Sequence, residues 1–530
     1  MHLDVLIQHG LVVDGSGNPG FYGSVGIADG VIHIVRGSAE GVVAADVVDA
    51  TGRVVCPGFI DMHSHSGLSL LVDGAHEAKV RQGVTSELIG VDGNSYAPFA
   101  RVEDLQDFRT FNAGLDGSPE IDYDWDNVNS FLQRFDGQAT VNTATMIGNS
   151  ALRIAAVGWD AAEATPAQCA SMRSMLREGL QEGAFGISTG LDYPPGAFAS
   201  TAELVELAEE AARLGAFYHT HVRYQLGDKF LDPFREAVQI GRRSGSPVHL
   251  THLYRKATAP RGAAALIDYV EETRESGLDI TFDTYPYEWS STRLTMLVPI
   301  AVQSGGPAAT LRALADQDSR AAVEAAIRDR SEQYGGPHVW SRIRLGYFRK
   351  IHNQIYEGRS IAEVAEMRDQ SPARVVCELL VDEELGVNEV AAGPDGLSIP
   401  RFVAHPLGMV GSDSVFFGER PSPRTYGSFT RILGELVREE RLVSLSEAVR
   451  KMTSFPAQRL GLRTRGLIRD GLAADVVVFD PATVRSNATY EQPRRFSTGI
   501  DDVFVNGIPV LRAGRMTGAR PGRSLRMGQS

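Results

Sequence analysis

Thiols are scarce in this sequence. Three cysteines, Cys56, Cys169 and Cys377, are spread over 530 residues, and no two of them form a CxxC pair. That excludes a disulfide framework and paired thiolate ligands, and it suits a reducing cytoplasm. Long basic runs are also missing. Only five of the 52 basic residues are lysine, and the net charge is −14. The acidic excess is dispersed along segments such as "TAELVELAEEAARLG", so a nucleic-acid-binding face is not expected. No stretch approaches the ~20 apolar residues that a bilayer-spanning helix requires. The first residues, "MHLDVLIQHGLVVDG", lack the basic start, apolar stretch and cleavage site of a secretory leader. The expectation is a cytoplasmic protein that engages a small molecule and neither membrane nor nucleic acid. Hydrophobic residues make up 43% and charged residues 22%, as in an ordinary globular chain long enough for more than one domain.

The texture of the chain changes twice. Residues 1–57 read as short strands broken by turns, and the same pattern returns in "GLAADVVVFDPATV" and "GIDDVFVNGIPVLRAG" near the other end. These two parts, 1–57 and 463–530, are expected to build a small β-sandwich domain. Between them, at 58–462, strand-like runs alternate with helical ones such as "AQCASMRSMLREGLQEG", which argues for βα units. Eight candidate strands can be counted: "GFIDMHSH", "GVTSELIGVD", "TATMIGN", "AFGISTGL", "FYHTHVR", "PVHLTHL", "DITFDTYPY" and "FVAHPLGMVGSD". The expected fold is therefore α/β, a (β/α)8 TIM-like barrel. The interval between the last two strands is too long for a loop, so a helical insertion is expected at about 290–395. The final "GARPGRSLRMGQS" reads as a loosely held end.

A barrel gathers its chemistry at the C-terminal ends of its strands, and here the polar residues sit there. His63 and His65 close strand one, and their spacing aims both to one side because strand side chains alternate. Asp92 closes strand two, His219 and His221 strand five, His252 strand six and Asp413 strand eight. His249 must point away from His252 and is assigned to packing, and His76, His338, His352 and His405 are assigned structural roles. Imidazoles and carboxylates without paired thiolates suit a catalytic zinc or a similar divalent ion. Such an ion acidifies water, and Asp413 would take the proton from that water and deliver it to a leaving group.

These segments carry a resemblance. "VVCPGFIDMHSHS" resembles the first-strand signature of the amidohydrolase superfamily. "GAFGISTGLDYPPG", "YHTHVR", "DTYPYEWSST", "SPRTYGSF" and "EAVRKMTSFPAQRLGLRTRGLIRDGLAADVVVFDPATV" resemble the N-acyl-D-amino-acid deacylase (D-aminoacylase) family. The resemblance implies a hydrolase that removes the acyl group from N-acyl, D-configured amino acids. It implies His63, His65, His221, His252 and Asp413 as ligands of one or two ions, with Asp413 also the proton shuttle. It places Tyr193, Tyr285, Ser291 and Arg424 against the substrate. Arg424 would grip a carboxylate with its planar fork.

Two positions depart from the family pattern. Asp92 stands where the family has a cysteine ligand, a harder donor that also suits manganese, cobalt or iron. Tyr254 stands where the family has a lysine, and Arg255 or Lys256 are the nearby cations that could replace it. The strand-four segment "AFGISTGLDYPPG" has no lysine, which excludes the carboxylated-lysine metal bridge of cyclic-amide hydrolases of the hydantoinase type. Two other functions fit the same residues: hydrolysis of a different amide, or a non-catalytic binding protein on this fold.

Overall fold

The alternating strand and helix texture of the middle of the chain is realised as parallel sheet. The computed structural model describes residues 2–35, 41–224, 227–256, 262–336, 338–393 and 395–529. Its inner strands are Phe59–Asp61, Val84–Ile89, Asn142–Thr145 with its continuation Ile147–Gly148, Gly186–Gly190, Phe217–His221, Val248–Leu250, Ile280–Thr284 and Gly408–Val410. Every residue in them is buried, as parallel strands require when helices cover the outer face. Those helices begin where the sequence supplies caps. Thr165 accepts from the Gln168 N–H to start Pro166–Gln181, and Ser200 accepts from the Glu203 N–H to start Thr201–Arg213.

The inner strands do not close into one barrel ladder, which corrects the expected closed (β/α)8 form. They form two parallel arcs, one of three strands and one of six. The third strand is divided at Met146, its first part pairing with Val84–Ile89 and its second with Gly186–Gly190. At the opposite seam, single hydrogen bonds join the first and last strands: Met62 N–H to Val410 O at 3.2 Å and Asp413 N–H to His63 O at 2.8 Å. Backbone contact continues past Asp61, with Ser64 N–H donating to Leu88 O and His65 N–H to Ser414 O, each at 3.1 Å.

The two ends of the chain do share a sheet. Val54–Pro57 pairs antiparallel with Val476–Phe479 and so joins the terminal strands into a nine-stranded sheet. The last residues are not loose. Thr143 N–H donates to Arg523 O at 3.0 Å, Leu525 N–H donates to Thr143 O at 2.8 Å, and Leu525 is buried. The insertion is also more than helical. Trp289–Arg293, Val387–Ala392 and Ile343–Phe348 form an antiparallel sheet backed by helices such as Gly306–Ala315 and Pro372–Asp382, with Leu314, Leu345, Phe348 and Leu379 in a separate core. Its pairings join residues far apart in sequence, and local pattern does not reveal those. Among the described residues no helix is long and apolar enough to cross a membrane.

A buried charge network lies beneath the seam. Lys79 Nζ donates to the Asp61 carboxylate and to Ser412 Oγ, and it lies 3.4 Å from Glu87. Asp61 Oδ1 accepts the backbone N–H of His63 at 3.1 Å and of Ser412 at 2.9 Å, fixing the approach to both His63 and Asp413. Glu87 is also bonded by Ser66 and His76. Removing the ammonium would strand two buried carboxylates, and breaking such a pair costs about 3–5 kcal/mol. Lys79→Met is therefore expected to lower unfolding stability by that amount in a denaturant titration. A loss below about 1 kcal/mol would show that the network does not hold the seam.

Candidate metal centre

Asp92 is the centre of the site. Its Oδ2 lies 3.3 Å from His63 Nε2, 3.5 Å from His252 Nε2, 3.7 Å from His221 Nδ1 and 3.8 Å from His65 Nε2. Asp413 Oδ1 lies 3.3 Å from His65 Nε2 and 3.5 Å from His63 Nε2. All six residues expected as ligands thus converge. They fall into two groups, His63–His65–Asp92–Asp413 and Asp92–His221–His252, each with donor atoms within 4.8 Å of one another. Asp92 belongs to both, which makes this a His/Asp site of binuclear form.

The local backbone is bent to make this convergence. Asp92, His252 and Asp413 have φ of 52°, 33° and 50°, a left-handed conformation that costs about 1–3 kcal/mol for each such residue. All three are buried. Asp92 Oδ1 and both ring nitrogens of the neighbouring His63 have no hydrogen-bond partner among the described residues. Buried polar atoms are seldom left so. Orphaned imidazole nitrogens and carboxylate oxygens clustered within ligand reach fit a divalent cation.

The electrostatics agree. Burial alone would discharge His63, but the Asp92 and Asp413 carboxylates outweigh it and hold its pKa well above the ordinary imidazole value. Burial would protonate Asp92, but His63 and the hydrogen-bonding His221 and His252 keep it well below the usual carboxylate range. Asp413 is likewise opposed by burial, yet Arg424 and His63 bring it down to about 2. A cation entering the site displaces the protons that these groups now share.

The other expected site residues are distributed around a cavity of about 190 Å³ that opens from Asp92 and Asp413. Tyr193 lines it, its ring centroid 4.9 Å from that of His221 and its hydroxyl 3.2 Å from Thr292 Oγ1. Tyr285 and Ser291 line it too, and Ser291 Oγ donates to Asn388 Oδ1 at 3.1 Å. Tyr254 packs between Tyr224 and Tyr285 on the same wall. Arg424 is placed differently. It is fully buried behind Asp413, with Nη1 2.7 Å from Asp413 Oδ2 and Nη2 donating to Ser291 O at 3.1 Å, and it does not border the cavity. Of the two cations near Tyr254, Arg255 pairs with Asp395 at 2.7 Å, whereas Lys256 lines the cavity.

His219 lies outside these two groups, but its ligand atom comes within 4.8 Å of those of His63 and Asp283. Its ring stacks on His249 at 5.0 Å, and burial holds its pKa well below the ordinary value. His249 pairs with Asp283 at 3.0 Å, His76 with Glu87 at 3.0 Å, His352 with Asp382 at 2.8 Å and His405 with Glu271 at 3.0 Å, while His338 is exposed.

Two functional carboxylates escape a reading based on ligand spacing. Asp283 accepts the His252 N–H at 2.8 Å, bonds His249 and lies 3.7 Å from His63 Nδ1, so it orients the ring from behind. Asp192 does the same for His221, 3.1 Å from Nε2. Such partners fix the tautomer and rotation of a metal-binding histidine. Their signal was position alone: Asp192 follows strand four, and Asp283 lies in strand seven.

Comparison with known proteins agrees with this arrangement. A model of the Amidohydrolase family matches residues 46–511. An N-acyl-D-glutamate deacylase of Alcaligenes xylosoxydans xylosoxydans is 34% identical, covering 99% of this chain and 96% of that protein. An N-acyl-D-aspartate deacylase of the same organism is 32% identical with the same coverage. The crystal structure of an N-acyl-D-glutamate deacylase from Bordetella bronchiseptica, complexed with zinc and a phosphonate inhibitor, superimposes with a TM-score of 0.84 at 32% identity, covering 99% of this chain and all of that one. The chain belongs to the amidohydrolase family and, within it, to the group of the N-acyl-D-amino-acid deacylases.

Proposed function

We propose that this protein hydrolyses the amide bond of N-acyl-D-amino acids. The observation that carries the reading is the Asp92 carboxylate, ringed by four imidazole nitrogens at the base of a cavity sized for a small molecule. The D configuration rests on the relatives, whose substrates are N-acyl-D-aspartate and N-acyl-D-glutamate. Zinc is the proposed ion, as in the related structure; manganese, cobalt or iron also suit a carboxylate at position 92.

His63, His65, Asp92 and Asp413 would hold one ion, and Asp92, His221 and His252 a second. A bound divalent ion supplies Lewis acidity that acidifies a water and polarises the acyl carbonyl. Asp413 takes the proton of the water that attacks the acyl carbon. As the C–N bond breaks, Asp413 returns that proton to the amine nitrogen, leaving a carboxylate and the free amino acid. Tyr193, Tyr285 and Ser291 position the substrate.

Arg424 is assigned to keeping Asp413 ionised, because its Nη1 lies 2.7 Å from Asp413 Oδ2 and it does not border the cavity. Lys256 supplies the cation that Tyr254 cannot, and it borders the cavity with its ammonium over the Tyr224 ring.

The shared ligand gives the first test. Asp92→Asn is expected to lose bound metal at both positions, measured by elemental analysis after dialysis. Retention of full stoichiometry would remove Asp92 from the centre.

The second test concerns pH. Asp413 works as a base only when ionised, and its lowered pKa keeps it ionised into acid solution. Arg424→Met removes the largest opposing charge, so the acid limb of the kcat/KM profile should move to higher pH. Activity should then be lost preferentially below neutrality. Free acids and their neutral esters should suffer alike. A loss confined to the free acids would return Arg424 to the substrate carboxylate.

A further inference from the structure

The wall of the cavity opposite the metal centre belongs to the insertion. Strand alternation places Ser290 and Thr292, Ile343, and Glu389 and Ala391 on one face of its three-stranded sheet, and all five line the cavity. Glu389 is the anomaly among them. It stands opposite Thr292 and Leu345, is only 5% exposed, and its Oε2 has no hydrogen-bond partner among the described residues. Burial pushes its carboxyl up to about 8 even though Arg330 acts the other way. The chemistry described above uses no group at this position. A buried acid without a satisfying partner weakens a fold. Residues that break the local rules in this way mark sites of function.

The charges around the cavity are ordered. Arg342 is exposed and Arg330 half-buried, so both attract an anionic substrate from the solvent side. Lys256, the cation assigned above in place of the missing lysine, borders the cavity as well. Glu389 Oε2 has no donor among the described residues, and a ligand in the cavity can bring one. A neutral alkyl side chain would leave Oε2 unsatisfied, and an acidic one could bond to Glu389 only while that carboxyl keeps its proton. An ammonium or guanidinium would ionise it and bond to its oxygens with charge-assisted strength.

We propose that Glu389 selects N-acyl-D-amino acids whose side chain ends in a cationic group. This rests on the deacylase reading, and it separates the chain from relatives whose substrates are N-acyl-D-aspartate and N-acyl-D-glutamate.

The test compares kcat/KM of the metal-loaded enzyme on N-acetyl-D-lysine, N-acetyl-D-arginine, N-acetyl-D-norleucine and N-acetyl-D-glutamate. The cationic substrates are expected to exceed norleucine at least tenfold, and Glu389→Gln should lower that ratio at least tenfold. Cleavage of norleucine or glutamate without a cationic preference overturns the role of Glu389 and leaves the deacylase intact. A cationic preference that survives Glu389→Gln also overturns it. Cleavage of none of the four removes both. Should Glu389→Gln fail to fold, inhibition of the unaltered enzyme by the free products decides the matter. D-lysine should inhibit at least tenfold more tightly than D-norleucine, and equal inhibition overturns the proposal.

Discussion

One carboxylate oxygen governs this molecule. Asp92 Oδ2 is buried within 3.8 Å of four imidazole nitrogens drawn from the ends of the first, fifth and sixth strands. A buried carboxylate is tolerable only with compensating charge or a metal, and buried imidazoles need the same. Each group therefore keeps the others in place. The strained backbone at Asp92, His252 and Asp413 follows from that demand, since regular strand geometry would not turn three side chains toward one point.

Behind this ring stands a second layer of charged groups. Asp283 and Asp192 hold the far sides of His63 and His221, and Arg424 holds Asp413. Asp61 and Lys79 tie the backbone of the first and last strands together below them. Orientation is thus supplied by fixed charges rather than by side-chain mobility, and positioning of this kind is what a hydrolytic site requires of its protein. The open seam of the sheet is compatible with it, because the side-chain network spans the place where ladder pairing stops.

Chemistry and recognition come from different parts of the chain. The ligands lie on the parallel strands, while the facing wall of the cavity is carried by the antiparallel sheet of the insertion. A wall with its own core can change its lining without moving the ligands. Glu389 sits on that wall, so the group that reads the substrate is separable from the groups that cleave it.

The sequence by itself located the candidate ligands. HxH at 63–65, His221, His252, Asp92 and Asp413 were legible because strand periodicity and strand ends are local properties, and convergence at one rim follows from parallel order. The capped helices were legible for the same reason, since Thr165 and Ser200 act within one turn. Only the tertiary structure decided the rest. The nine-stranded terminal sheet, the sheet within the insertion and the docking of the tail all depend on pairings between residues remote in sequence. Arg424 reads from its motif as a substrate contact, and only the packing shows that its Nη1 pairs with Asp413. Asp192, Asp283 and Glu389 carry no spacing signal at all. Their roles come from what lies beside them once the chain is folded, because an interaction between buried charges depends on distance in space and not on distance along the chain.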